Sequence, residues 1–206
     1  CGFRRALISR GVPPEKITVI HNWCDEDAIL SASGDGPLAR RLGMEGLVNI
    51  VFAGNMGKVQ GLETVLQAAA LLGDEPLVQF VLAGDGTELP VLQRIAEERG
   101  LKNVRFVGRM PMSEIGGILS LADALLVHLE DDPLFRITIP SKTQAYLCVG
   151  KPILMGVSGD AARIVERHRA GICFASSNSE SMAEAVRSFL RLTPEERKQM
   201  GERARA

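Results

Sequence analysis

From residue 47 onward, short and almost unbroken apolar runs alternate with single stretches of helical periodicity. The runs cover 47–53, 77–82, 104–107, 124–127, 152–155 and 172–174, and the first three lead into Gly54, Ala83-Gly84 and Gly108. Helical spacing covers 62–72, 89–99, 114–120, 141–148, 161–168, 179–192 and 194–206. Ser113 stands as the N-cap of the third of these, Pro140 precedes the fourth, and Thr193-Pro194-Glu195-Glu196 is a capping signature for the last. Parallel strands must be joined by a crossover, usually a helix. A run that is apolar at successive positions, rather than at every second one, belongs to a strand buried on both faces. The pattern predicts an α/β fold, a doubly wound, Rossmann-like parallel sheet of about six strands.

Residues 1–46 do not follow the repeat. They hold a short helical stretch, the β-rich run Ile17-Thr18-Val19-Ile20, the single tryptophan Trp23, and a polar segment bearing glycine. We expect 1–46 to be a connector from an N-terminal domain and 47–206 to be the Rossmann-like domain, with Trp23 as a packing anchor. Beginning on Cys1, the chain reads as a piece of a longer protein. Aromatic residues make up only 4%, so the core must be built from Leu, Val, Ile and Ala. With 24 basic against 25 acidic residues, no positive excess exists to displace counterions from a nucleic acid. No apolar run approaches the ~20 residues of a membrane span. The cysteines at 1, 24, 148 and 173 have neither zinc-knuckle nor redox spacing and are expected to be reduced thiols.

Open parallel sheets bind ligands at the carboxyl ends of their strands. Three segments there have unusual composition. In 54–61, Gly54, Asn55, Gly57 and Lys58 combine free backbone N–H groups with a point charge suited to phosphate. A plain turn that needs glycine for its geometry explains this loop as well. Gly84-Asp85-Gly86 can lie against a planar base or a ribose, and is also a common turn. The long loop 129–140 carries Glu130, Asp131, Asp132, Arg136 and Thr138 and runs into Ser141-Lys142. It is either a functional loop or a solvated surface loop.

Hydrolase elbows and zinc-protease motifs are absent from the sequence, and no metal-ligand set stands out. His21, His128 and His168 are isolated. His128 ends a predicted strand and could face a cleft, although a packed, hydrogen-bonded histidine is the commoner outcome.

The order of the segments is more specific than any one of them. Ile17-Thr18-Val19-Ile20-His21-Asn22-Trp23 is followed by Val51-Phe52-Ala53-Gly54-Asn55-Met56-Gly57 and by Val81-Leu82-Ala83-Gly84-Asp85-Gly86-Thr87. Then come Val104-Arg105-Phe106-Val107-Gly108-Arg109, Ala122-Asp123-Ala124, Ile139-Pro140-Ser141-Lys142, Gly150-Lys151-Pro152-Ile153 and Ala170-Gly171-Ile172. Together they resemble the C-terminal half of a family 4 glycosyltransferase of the GT-B fold, over nearly the whole chain. The Gly-Asn-x-Gly and Pro-Ser-Lys variants are most similar to bacterial transferases that place amino sugars in surface polysaccharide.

The resemblance implies one half of a GT-B enzyme, the half that holds a nucleotide-sugar donor, facing an absent N-terminal acceptor domain. It implies a retaining sugar transfer in polysaccharide or glycan biosynthesis, without metal or other cofactor, and no activity in this half alone. Gly54, Asn55, Gly57 and Lys58 would lie by the diphosphate. Gly84, Asp85 and Gly86, with Phe106 and Val107, would border base and ribose. Arg136, Ser141 and Lys142 would close over pyrophosphate and sugar. The protein would be cytoplasmic, reaching the inner face of the membrane only through the other half. Many members of that family carry two glutamates separated by seven residues. Here the second falls on Ala145, and the first on Ile137 or Phe135. The common Arg and Lys of the phosphate loop fall on Asn55 and Gln60. Glu130 or Asp131 could stand in for the missing acids. The catalytic residue is not assigned. Two alternatives remain open: a sugar-nucleotide 2-epimerase of GT-B-like fold, for which His128 is the one suitably placed acid–base group, and a non-catalytic nucleotide-binding module.

Overall fold

The computed structural model describes residues 2–32 and 34–205. Its centre is a six-stranded, all-parallel sheet: β1 (Val48–Ala53), β2 (Val78–Ala83), β3 (Val104–Gly108), β4 (Ala124–His128), β5 (Ile153–Gly156) and β6 (Gly171–Cys173), in the order β3-β2-β1-β4-β5-β6. The fold is the doubly wound α/β class expected from the alternation. Helices α1 (Gly2–Ser9), α2 (Glu26–Leu30) and α3 (Gly36–Leu42) precede the sheet. Between strands and after them come α4 (Leu62–Leu71), α5 (Leu89–Glu98), α6 (Met112–Ser120), α7 (Lys142–Val149), α8 (Asp160–His168), α9 (Ser179–Arg191) and α10 (Pro194–Arg205).

The strand residues divide with a period of two. Ile50, Phe52, Phe80, Leu82, Leu126 and Leu154 meet α4, α5 and α9 on one face. Val51, Ala53, Val81, Leu125, Val127 and Met155 meet α3, α6, α7 and α8 on the other. Successive strand side chains point to opposite faces, so a sheet covered on both sides has no polar register.

β1 pairs with β2 over its whole length, Val48 against Val78 through Ala53 against Ala83. With β4 it pairs only at Ile50–Ala124 and Val51–Leu125. Above that point the strands part, and this is where the winding direction reverses. The gap is closed by Tyr146 of α7, which is buried. Its hydroxyl accepts the Ala53 N–H at 2.8 Å and donates to the Ala53 carbonyl at 3.2 Å. Burial pushes the phenol pKa up, so it remains protonated and able to do both.

Three local expectations change. Helix α6 starts at Met112, not Glu114, because Pro111 with φ −58° already directs the chain into the helix, and Ser113 makes no cap bond. The run Ile17 to Ile20 forms no strand, since no described strand lies beside it. Trp23 is not a packing anchor: it is 83% exposed, as Ile20 is 85% exposed. The later part of 1–46 does pack on the domain: buried Leu42 and Met44 join the second face of the sheet, and α2, with buried Ile29, lies against α6 and α7. The capping signature at Thr193 forms as read, with Glu196 Oε2 accepting the Thr193 N–H at 2.7 Å and Thr193 Oγ1 accepting the Glu196 N–H at 3.2 Å. Cys24, Cys148 and Cys173 are free thiols, while Cys1 and Ala206 lie outside the described residues. No described helix is long and apolar enough to cross a membrane.

Candidate functional site

The loops after β1 and β2 are joined by their main chains. Gly54 N–H donates to the Ala83 carbonyl at 2.9 Å, Gly84 N–H to Gly108 at 2.7 Å, Met56 N–H to Asp85 at 2.7 Å and Glu88 N–H to Met56 at 3.0 Å. A Cβ at Gly84 would overlap the Gly54 carbonyl, and one at Gly86 would overlap the Met56 backbone. Gly84 also has φ +139°, a region in which side chains are strained. These glycines are therefore required by the approach of loop to loop. Together the loops line an open cleft of about 730 Å³ with Gly54, Asn55, Gly84 and Asp85 on one side and Arg109 and Met110 on the other.

Asn55 and Lys58 are exposed, Lys58 on a single 3₁₀ turn (Lys58–Gln60). Gly57 is held by Gln60, whose side chain accepts the Gly57 N–H at 3.0 Å. So the amide standing where the family's lysine is common closes the turn instead. Phe106 packs on the α4 and α5 side of the sheet and Val107 on the opposite side, so strand alternation turns the two residues apart. Ser141 precedes α7 without capping it, and the Thr143 N–H of the first turn donates to the Pro140 carbonyl at 2.9 Å.

Lys142 is the most unusual of the sequence-selected residues. Its ammonium lies 3.4 Å from the centroid of the Phe52 ring and would be 3.1 Å from a Cβ at Gly54, so it occupies the space a side chain there would take. Nζ is buried and has no hydrogen-bond partner among the described residues. Burial lowers its pKa from 10.5 to about 7. The ring face offsets part of the lost hydration.

Arg136 is engaged elsewhere. Its guanidinium donates to Asp131, Nε at 3.2 Å and Nη2 at 3.1 Å, from a turn that lies outside the helix. The positions that correspond to the two missing glutamates are apolar in the fold as well. Ala145 and Phe135 pack against the second face of the sheet, and Ile137 lies against Gly2.

His128 is fully buried. Its Nδ1–H donates to the Gln60 carbonyl at 2.8 Å, its Nε2 accepts the Ser177 N–H at 3.2 Å, and its ring stacks on Phe174. Both nitrogens are occupied, and burial holds the imidazole pKa below its usual value. It is a structural group of the β4 end, which removes the acid–base residue an epimerase reading needs.

The sequence family described as glycosyl transferases group 1 matches residues 44–206. The chain belongs to this family. Among curated group 1 relatives, the probable glycosyltransferase WbjE of Pseudomonas aeruginosa is 30% identical over 156 residues, covering 74% of this chain and 38% of that protein. The putative colanic acid biosynthesis glycosyl transferase WcaI of Escherichia coli K12 is 31% identical over 147 residues, 69% of this chain and 35% of its own length. The chain thus spans little more than a third of either relative. Among solved structures, Anabaena Alr3699/HepE in complex with UDP-glucose superposes with a TM-score of 0.80 at 19% identity, over 98% of this chain and 55% of that one. The C-terminal domain of the group 1 protein LpcC of Francisella tularensis superposes with a TM-score of 0.67 at 14% identity, over 88% of this chain and 94% of that domain.

Within this group 1 frame, sequence reasoning missed Tyr146 at the strand gap, Arg109 and Met110 at the cleft, and Ser177 beside His128. Arg109 follows the strand-ending Gly108, which is a usable signal. Ser177 carried none, because its position depends on a left-handed backbone, φ +53°, that the sequence does not announce.

Proposed function

We propose that this chain is the nucleotide-sugar-binding half of a retaining glycosyltransferase of polysaccharide or glycan biosynthesis. Residues 1–46 would serve as the connector to a facing N-terminal acceptor domain. The acceptor would be met in the cytoplasm or at the inner face of the membrane, through that other half. The observation that carries the reading is the unpartnered ammonium of Lys142, set under Gly54 at the point where the sheet reverses its winding. A diphosphate would pair with such a cation, and the positive end of the α7 dipole lies at the same place. A departing nucleoside diphosphate gains negative charge, and fixed cations and amides stabilise it without metal. Support comes also from HepE, captured with UDP-glucose, and from the near-complete overlap with an isolated C-terminal domain. The extended 17–20 run, with Ile20 and Trp23 in solvent, suits a segment whose packing partner is another domain.

Calorimetry with UDP, GDP and ADP tests this. One of the three should bind, and its affinity should fall as the pH is raised from 7 to 9. Lys142 has a pKa of about 7, and loses the charge that attracts the diphosphate over that range. Lys142→Met should weaken the diphosphate by about tenfold or more, leave the parent nucleoside unchanged, and abolish the pH slope. Failure of all three nucleotides to bind the unaltered chain would end the donor-site reading.

A further inference from the structure

Strand β1 loses its partner on one side just before the cleft. Its pairing with β4 ends at Val51–Leu125, while its pairing with β2 continues to Ala53–Ala83. The β1 main chain turns to β4 at Asn49, whose carbonyl accepts the Asp123 N–H at 2.9 Å, and to β2 at Gly54, whose N–H meets Ala83. Alternate residues face alternate neighbours, so Ala53 presents its N–H and carbonyl to a β4 that has already moved away. Buried and unpaired, each of those groups would cost stability. Tyr146 takes both, and its hydroxyl does there what the next residue of a strand would do.

Two α7 side chains enter this gap. Lys142 and Tyr146 stand four residues apart, on the same side of the helix. Helix α7 covers the second face of the sheet, through Ala145, Tyr146 and Leu147. The Phe52 ring belongs to the first face, and the Lys142 ammonium lies on it, 3.4 Å from the centroid. Lys142 therefore crosses from one face to the other at the carboxyl end of β1, beside the opening that Tyr146 closes. Gly54, next after Ala53, leaves the space for the ammonium. The ring contact is a weak tether for a flexible four-carbon stem. A fixed path for that stem has to come from the helix that carries it.

We infer that Tyr146 is a positioning residue: its two-way hydrogen bond to Ala53 locks α7 to β1 and thereby holds the Lys142 ammonium under Gly54. The consequence for a diphosphate rests on the donor-binding reading above. Tyr146→Phe would keep the packing and lose both bonds. The Ala53 N–H and carbonyl would then draw water into the gap, α7 would shift on the sheet, and the ammonium would become hydrated.

Trace acetylation from pH 6 to 11, read lysine by lysine by mass spectrometry, tests this without a nucleotide. In the unaltered chain Lys142 should react with a midpoint near 7 rather than the ordinary 10.5. In Tyr146→Phe that midpoint should rise by about one unit or more, because a hydrated ammonium keeps its proton. An unchanged midpoint in the folded variant would overturn the positioning role and leave Tyr146 a packing residue. UDP titrations supply the second arm. Tyr146→Phe should weaken UDP by about fivefold or more at pH 7, and the fall in affinity from pH 7 to 9 should vanish. His128 of β4 also faces Lys142, and with its pKa held below the usual value it stays neutral over that range. A loss by the same factor at both pH values marks a merely structural role and overturns the inference. In a Lys142→Met background, Tyr146→Phe should cost UDP less than about twofold more, since it acts through the lysine; a full further loss there also overturns it. Should Tyr146→Phe not fold, the single tyrosine permits another measurement. Fluorotyrosine incorporated at 146 keeps the hydroxyl and gives one fluorine NMR signal, which Lys142→Met should shift; an unmoved signal would show that the two side chains do not share the gap. If no nucleotide binds the unaltered chain, the donor reading fails, while the acetylation midpoints still decide the role of Tyr146.

Discussion

The carboxyl edge of this sheet is built in two ways. Over β1 and β2, the segments 54–57 and 83–88 interlock through three main-chain hydrogen bonds, and side chains are excluded by contact. Over β4 and the turn before α9, the loops are held by side chains: His128, Glu130, Ser177, Asp131 and Arg136. The bonds of the first half join main-chain groups, which do not titrate, and its glycines admit almost no change of residue. The second half includes His128, a titrating group.

Gly84→Ala should break the first half with the largest effect. The new Cβ meets a carbonyl of the facing loop at a backbone angle that disfavours it, so neither a rotamer change nor a small shift relieves it. A loss of about 3 kcal/mol or more in urea unfolding is expected. A loss under about 1 kcal/mol would mean that the loops do not interlock.

His128→Leu should break the second half by about 2 kcal/mol at pH 7.5, since the Gln60 carbonyl and the Ser177 N–H are both left unpaired. Here the pH matters. The folded-state pKa lies below the ordinary 6.5 because burial penalises the charged ring. The stability owed to a neutral His128 is therefore complete above about pH 6.5 and is lost as the pH falls through the lower folded value. The gap between the unaltered chain and His128→Leu should narrow from pH 7.5 to pH 5. A gap that stays constant or widens would show that the imidazole is not buried neutral.

Much of the first half was legible in the sequence because its cause is local. A strand that ends in glycine announces a turn, and the order of six apolar runs announces a parallel sheet whose carboxyl edge carries the loops. The meaning of those glycines was not legible, since the loop that each one admits lies 30 residues away, as Gly84 lies from Gly54. The second half was read only in pieces. Lys142 and the acids of 129–140 stood out by composition. The clip that holds Glu130 was hidden, because Ser177 enters from β6, 47 residues further along. Ala145 simply faces the core.

Arg136 sharpens the comparison with the smallest effect. Read from sequence it belongs with the phosphates, yet its guanidinium is chelated by Asp131 on the solvent side of the loop, both side chains about half exposed. An exposed pair of this kind contributes little, so Arg136→Ala should change stability by less than about 0.5 kcal/mol. Its effect on UDP affinity should be within about twofold, because the side chain is not free to reach the nucleotide. Asp131→Asn is the informative partner. It releases the guanidinium while keeping the shape of the acid, and the freed cation can then swing toward Lys142 and the first turn of α7. UDP should bind about two- to threefold more tightly in low salt, and the gain should disappear in high salt as the charge is screened. Should Arg136→Ala by itself weaken UDP by tenfold or more, the pair must open when nucleotide enters. The side-chain-built half would then be a moving part of the site, and the interlocked glycine loops the fixed wall against which it closes.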